Sequence, residues 1–210
     1  MAEPKSFKVR LTKKHVDKLE KQSNYLGTTR TNLMLLKIYL KRSILLSEGY
    51  LSKAMDSIQN DPESHNLTVS RFPEYHKEII KDKKLYFYST NQYLSAMVYY
   101  ILENEDEDLW QENSDRLQKT IRKYDINTEL NNNFTEFSKL SGISKSLLIN
   151  YSFMVSINEE TTFNLNDYQE NRSAVGIEFT LPSIEILDSY EPHERENIMN
   201  KVIGDIPIQL

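Results

Sequence analysis

Lys8 and Arg10 are the first residues in this chain whose types and spacing could do chemistry, because they alternate with Phe7, Val9 and Leu11. Successive side chains on a strand point to opposite faces, so Phe7, Val9 and Leu11 share an apolar face while Lys8 and Arg10 share a cationic one. Ser6 extends the polar face by one step. Such a face offers donors and positive charge to an anion. A second arrangement occurs twice: Thr29-Arg30-Thr31 and Ser144-Lys145-Ser146 each place a cation between two hydroxyls at an expected helix start. Unpaired backbone N–H groups there add to the hydroxyls and the cation in holding phosphate.

Catalytic constellations are missing from the sequence. His15, His65, His76 and His193 lie far apart, with no carboxylate at a zinc-ligand spacing, and there is no glycine-rich phosphate loop among only five glycines. A lone helical histidine such as His15 is expected on the surface. Tyr86, Tyr88, Tyr93, Tyr99 and Tyr100 lack the histidine cluster or basic triad that a tyrosine nucleophile requires. Tyr99 and Tyr100 are instead expected to pack a helix, with their hydroxyls reaching water or backbone. The chain has no cysteine, which excludes disulfides, thiolate metal sites and cysteine nucleophiles. The reading is therefore of a non-enzyme with no metal, no cofactor and no small-molecule substrate.

The elements that position these residues follow from pattern. Thr12 is a good N-cap, and Val16, Leu19 and Leu26 recur on one helical face. Gly27 suits a left-handed C-cap, and Thr28-Thr29-Arg30-Thr31 offers N-caps for a second helix from about Asn32. In that helix Leu33, Met34, Leu35, Leu36, Ile38, Tyr39 and Leu40 leave almost no polar face, so it must be covered on nearly all sides.

A basic-faced strand, an amphipathic helix, a glycine turn and an apolar second helix resemble, over about residues 5 to 46, the ribbon-helix-helix family of DNA-binding proteins of the Arc and MetJ type. The resemblance implies that two copies pair their strands into an antiparallel ribbon that enters the major groove, while their second helices form the core. It also implies that Lys8, Arg10 and Ser6 read bases, since a basic side chain suits guanine O6 and N7. The plainer alternative is an ordinary strand-helix-helix piece of a mixed domain.

The pattern returns. Ile121-Arg122-Lys123-Tyr124-Asp125-Ile126 reads as a strand, Asn127 opens a helix with Leu130, Phe134, Phe137 and Leu140, and Gly142 ends it. Ile143-Ser144-Lys145-Ser146 then mirrors Thr28 to Thr31 before the apolar Leu147 to Met154. A blurred copy lies between, with Leu67 to Phe72 as strand, Pro73 as a first helical residue and a second helix after Ser89-Thr90-Asn91. A fourth reads Val175 to Pro182, a short helix, then Ile198, Met199, Val202 and Ile203. The second helices start about 50 to 60 residues apart, a repeat period. The expected fold class is thus mainly α with short β-ribbons: tandem ribbon-helix-helix units paired as dimers or pseudo-dimers. The units span residues 1–46, 66–103, 119–157 and 174–210. The segments between them, about Ser47 to Asn66 and Glu103 to Lys119, read as linkers long enough for pairing within the chain. Pairing between two chains is equally open.

Charge distinguishes the copies. The chain carries a net −5, yet residues 1–46 hold eleven Lys or Arg against three Asp or Glu, and residues 157–210 hold three against eleven. Phosphate affinity comes from local basic surface, so the first unit is the expected reader of double-stranded DNA. Outward residues of the third strand are Lys123 and Asp125, and of the fourth Glu178 and Thr180; Arg71 and Lys123 are secondary ribbon contacts, while Glu191 and Glu194 would repel phosphate. Glu105-Asp106-Glu107-Asp108 reads as a solvated linker. The fourth, acidic unit is expected to be structural or to bind protein.

A tandem architecture of this kind resembles the accessory proteins that mark an origin of transfer for the relaxase of a conjugative plasmid, such as those of staphylococcal plasmids. That implies a relaxase as protein partner. Two alternatives stand beside it: a transcriptional or copy-number repressor, and, in another class, an antitoxin or protein-interaction adaptor. No apolar run is long enough to span a membrane and no leader precedes Phe7, so a cytoplasmic protein is expected.

Overall fold

In a computed structural model of the chain, the described residues are 6–42, 44–69, 88–105, 119–155, 172–180 and 188–203. The chain divides into two compact units: Met1–Ser23, Thr28–Asp108 and Leu140–Gly142 make the first, and Asn24–Gly27, Leu109–Lys139 and Ile143–Leu210 the second. The described elements are mainly helical, with two short two-stranded antiparallel sheets.

In the first unit, β1 (Phe7–Leu11) leads into α1 (Lys13–Tyr25) and α2 (Arg30–Leu40). Gly27, at φ 61°, closes α1 as a left-handed cap, with Thr28 N donating to Ser23 O at 2.8 Å and Gly27 N to Asn24 O at 3.0 Å. Thr29 caps α2 by accepting from Asn32 N at 3.2 Å. α3 (Glu48–Asn60) follows, then β2 (His65–Val69) and α4 (Thr90–Glu103). β1 and β2 pair within one chain, from Phe7 opposite Val69 to Leu11 opposite His65. α4 packs against both β1 and α3, and α2 against α4 and β2. Val9, Leu11, Leu33, Leu36, Leu94 and Met97 are buried together in this core, which answers the demand of α2 for cover.

Two expectations are corrected here. Ser47 to Asn60 is a helix with Ser47 as N-cap and Leu51, Ala54 and Ile58 buried, because those residues recur at helical spacing and find the α4 face to cover them. The second strand begins at His65 rather than Leu67. Its extent is set by β1 as partner and by a preceding turn closed by Ser64 N on Asp61 O, neither of which its own alternation reveals. The expected strand end at Ser70 to Phe72, with Arg71, and the helix from Pro73 lie outside the described residues.

The second unit repeats the order except for α3, which has no counterpart among its described residues. β3 (Lys119–Asn127), α5 (Thr128–Ser141), α6 (Lys145–Val155), β4 (Arg172–Thr180) and α7 (Pro192–Ile203) succeed one another. β3 pairs antiparallel with β4, and α6 packs on α7 and β4. One sequence distance separates Thr12 from Asn127, Gly27 from Gly142, Thr29 from Ser144 and Leu40 from Val155. Gly142 also has a positive φ, of 70°. Asn127 caps α5 through its Oδ1, which accepts from Glu129 N at 2.9 Å and Leu130 N at 3.2 Å. The later helices match in a different way: Ser89 N donates to Gln92 Oε1 at 2.8 Å in α4, and Glu191 N to Glu194 Oε2 at 2.7 Å in α7. The expected short helix of the fourth copy, and the side chains of Val202 and Ile203, lie outside what is described.

Candidate nucleic-acid interface

The two faces of the β1–β2 ribbon differ, although on the inward one Phe7 and Leu67 are half-buried and His65 is exposed. Val9, Leu11 and Val69 are buried, whereas Ser6, Lys8, Arg10, Asn66 and Thr68 are exposed. Register places Lys8 opposite Thr68 and Arg10 opposite Asn66. The three residues expected to read bases thus lie on one face, joined by Asn66 and Thr68, to which the sequence alone assigned no contact. The signal was present: Asn66 and Thr68 alternate with Leu67 and Val69.

Arg10 is held from two sides. Its backbone N–H donates to Ser95 Oγ of α4 at 2.9 Å, and Ser95 Oγ in turn donates to Asn91 O at 2.7 Å. Its Nε donates to Ser64 Oγ at 2.9 Å, which orders the exposed guanidinium and leaves its two Nη groups beyond that contact. Asp61 lies near this end, and its carboxylate is committed. Oδ2 accepts from Lys13 N and Oδ1 from Glu63 N, each at 2.8 Å, and these backbone bonds hold the carboxyl below its ordinary range. Asp61 thereby caps α1, which Thr12 was expected to do with its own side chain; the Thr12 hydroxyl instead meets His15 Nδ1 at 2.5 Å.

His15 is the next correction. It is 2% exposed, its Nε2 lies 2.9 Å from Glu103 Oε1, and its ring centroid is 4.4 Å from that of Tyr99. Thr12 meets Nδ1 and the Glu103 carboxylate lies beside Nε2, neighbours that sequence position alone does not convey. Tyr100 packs edge-on against Tyr50 at 5.0 Å. Glu105, expected in a solvated linker, is drawn in by the buried Lys37, with Gln22 Nε2 donating to its other oxygen at 2.9 Å.

The helix N-termini are unequal. At α2 the first intrahelical bond runs from Leu33 N to Thr29 O, so the amides of Arg30 and Thr31 lie ahead of it, and Thr29 Oγ1 is spent on Asn32. Arg30 reaches Glu20 at 3.6 Å, with both side chains largely exposed. At α6 Ser144 Oγ accepts from Leu147 N at 3.2 Å, Lys145 Nζ donates to Asn131 Oδ1 at 2.8 Å, and Ser146 O accepts from Asn150 Nδ2 at 2.7 Å. Burial lowers the Lys145 pKa, so this ammonium is both engaged and partly desolvated. Lys123 is exposed on β3 opposite Gly176. The side chains of Asp125, Glu178 and Thr180 are not described.

Among the described residues no group of three or more histidine or acidic side chains is placed to hold a metal ion, and no helix is long and apolar enough to cross a membrane. No family model matches the chain, and neither a curated protein nor a solved structure is found to be similar to it.

Proposed function

We propose that this chain binds double-stranded DNA sequence-specifically, laying the β1–β2 ribbon in the major groove. The two units are tandem pairs of ribbon-helix-helix copies, each pair closed within the chain. The observation that carries this reading is the exposed ribbon face with Lys8, Arg10, Asn66 and Thr68 over an underside in which Val9, Leu11 and Val69 are buried. A major groove about 12 Å wide admits a two-stranded ribbon, and its base edges present acceptors to Arg and Lys and a donor–acceptor pair to Asn.

Arg30 and the amides of Arg30 and Thr31 then hold backbone phosphate, with Thr29 fixing the turn. The exposed pair with Glu20 contributes only about 0–1 kcal/mol and yields readily to a phosphate. The second unit, with Lys145 turned to Asn131, is the weaker contact, and Lys123 its exposed cation. In the cell the reading that fits tandem units best is an accessory factor marking an origin of transfer for a relaxase.

Footprinting and mobility shift with the DNA flanking the gene test the binding. Lys8→Ala with Arg10→Ala should abolish specific binding and leave the fold intact, because the inward face is untouched. Unaltered affinity in that double variant would overturn the proposal. Protection of the promoter alone favours a repressor, and a stable complex with a toxin without any footprint favours the antitoxin.

A further inference from the structure

We infer that the β1–β2 ribbon reads a DNA element without dyad symmetry, and that Asn66 and Thr68 determine the sequence of one half of it. The inference rests on the DNA-binding reading above and adds what that site recognises.

An antiparallel ribbon of two identical strands has a two-fold axis through its centre, so its outward residues repeat and its DNA site is palindromic. Here the ladder from Phe7–Val69 to Leu11–His65 is centred on Val9 opposite Leu67. The axis through that pair carries Lys8 onto Asn66 and Arg10 onto Thr68, and neither residue is repeated. Displacing the axis does not restore symmetry, since Ser64-His65-Asn66-Leu67-Thr68-Val69 contains no Lys or Arg. The two strands therefore ask for different bases. Lys8 and Arg10 are donors only and match the paired acceptors O6 and N7 of guanine. The Asn66 amide N–H donates to N7 of adenine while its carbonyl oxygen accepts from N6–H, and the Thr68 methyl suits the thymine methyl.

Covalent linkage fixes the orientation. Both strands belong to one chain, and Arg10 is tied to Ser64 at the start of β2 as well as to Ser95 on α4, so guanine-reading and adenine-reading strands keep one register and one polarity. A single chain supplies a complete reader. An element so read has a direction, which a palindrome lacks.

Selection from a randomised duplex pool with the full chain tests this, using wild type, Asn66→Ala, Thr68→Ala, and Lys8→Ala with Arg10→Ala. The wild type should enrich a non-palindromic consensus bound by one chain, as counted by native mass spectrometry. Asn66→Ala should relax an adenine position in one half and weaken the consensus about five- to hundredfold, with the guanine positions kept. The Lys8 and Arg10 variant should relax the guanine half instead. A palindromic consensus bound by two chains, or a consensus unchanged in Asn66→Ala, overturns the inference while DNA binding stands. Failure of the wild type to enrich any sequence overturns the DNA-binding reading itself.

Discussion

Lys37, in the middle of the apolar helix α2, has its ammonium against the carboxylate of Glu105, and the two side chains are only 2% and 15% exposed. Burial lowers the lysine pKa while Glu105 opposes the shift. Removing one partner of such a pair leaves a buried charge uncompensated, which costs about 3–5 kcal/mol, whereas replacing both partners by apolar residues of similar volume is neutral or stabilising. Glu105→Gln should therefore lower the urea midpoint markedly, and the double variant Lys37→Met with Glu105→Leu should leave it unchanged or raise it. Equal losses in both variants would show that the pair acts through packing.

Arg30 separates holding from reading. Arg30→Ala should weaken specific and non-specific duplexes alike and flatten the dependence of log K on log salt by roughly one unit of slope. Glu20→Ala should have the opposite sign, since it frees Arg30 from its exposed partner at 3.6 Å. Fluorescence anisotropy between low and moderate salt reads both. A loss confined to one sequence would make Arg30 a base reader.

Acid should weaken the first unit in two separate steps. His15 is surrounded by Thr12, Glu103, Tyr99, Lys14 and Lys18, and burial lowers its pKa despite the Glu103 carboxylate. Below the ordinary value of 6.5 the unfolded chain takes up a proton that the folded one resists, so stability falls as pH drops from there to the folded value. Burial alone would raise the Glu103 carboxyl, but Lys14 and His15 overcome this and hold it below 4.5, so its contribution is lost only as pH falls through that lower value. Urea midpoints at pH 7.5, 6.0 and 5.0 should decline, and His15→Gln should flatten the upper part of the decline. A midpoint independent of pH over that range contradicts the assignment.

Local signals were legible in the sequence, and relations between distant elements were not. Thr29, Gly27, Gly142, Ser144 and Asn127 announce their caps because capping is decided within a few residues. The inward and outward faces of β1 were equally plain. By contrast, Asn66 and Thr68 acquire their place only from pairing with Lys8 and Arg10, and α3 from an α4 face that covers Leu51 and Ile58. His15 and Glu105 were misplaced for the same reason: a polar group is expected outside until a partner at Glu103 or Lys37 makes its burial tolerable.

Pairing of β1 with β2 in one chain predicts which fragments fold. Val9, Leu11, Leu33 and Leu36 are fully buried, and the elements that cover them, β2 and α4, come later in the same unit. A fragment ending at residue 62 has neither. It keeps α1, α2 and α3 but exposes the underside of β1 and most of α2, so it should be unfolded or self-associated, with a concentration-dependent helical signal. A fragment of residues 1–108 contains both partner elements and should sediment as a folded monomer with a cooperative thermal transition. It should also retain specific DNA binding, reduced by the contacts that Lys123 and the second unit supply. Two outcomes would contradict the pairing: a short fragment that is a stable folded monomer, or a 1–108 fragment that folds only as a dimer. The first would mean that α2 needs no cover from α4, and the second that first ribbons pair between chains.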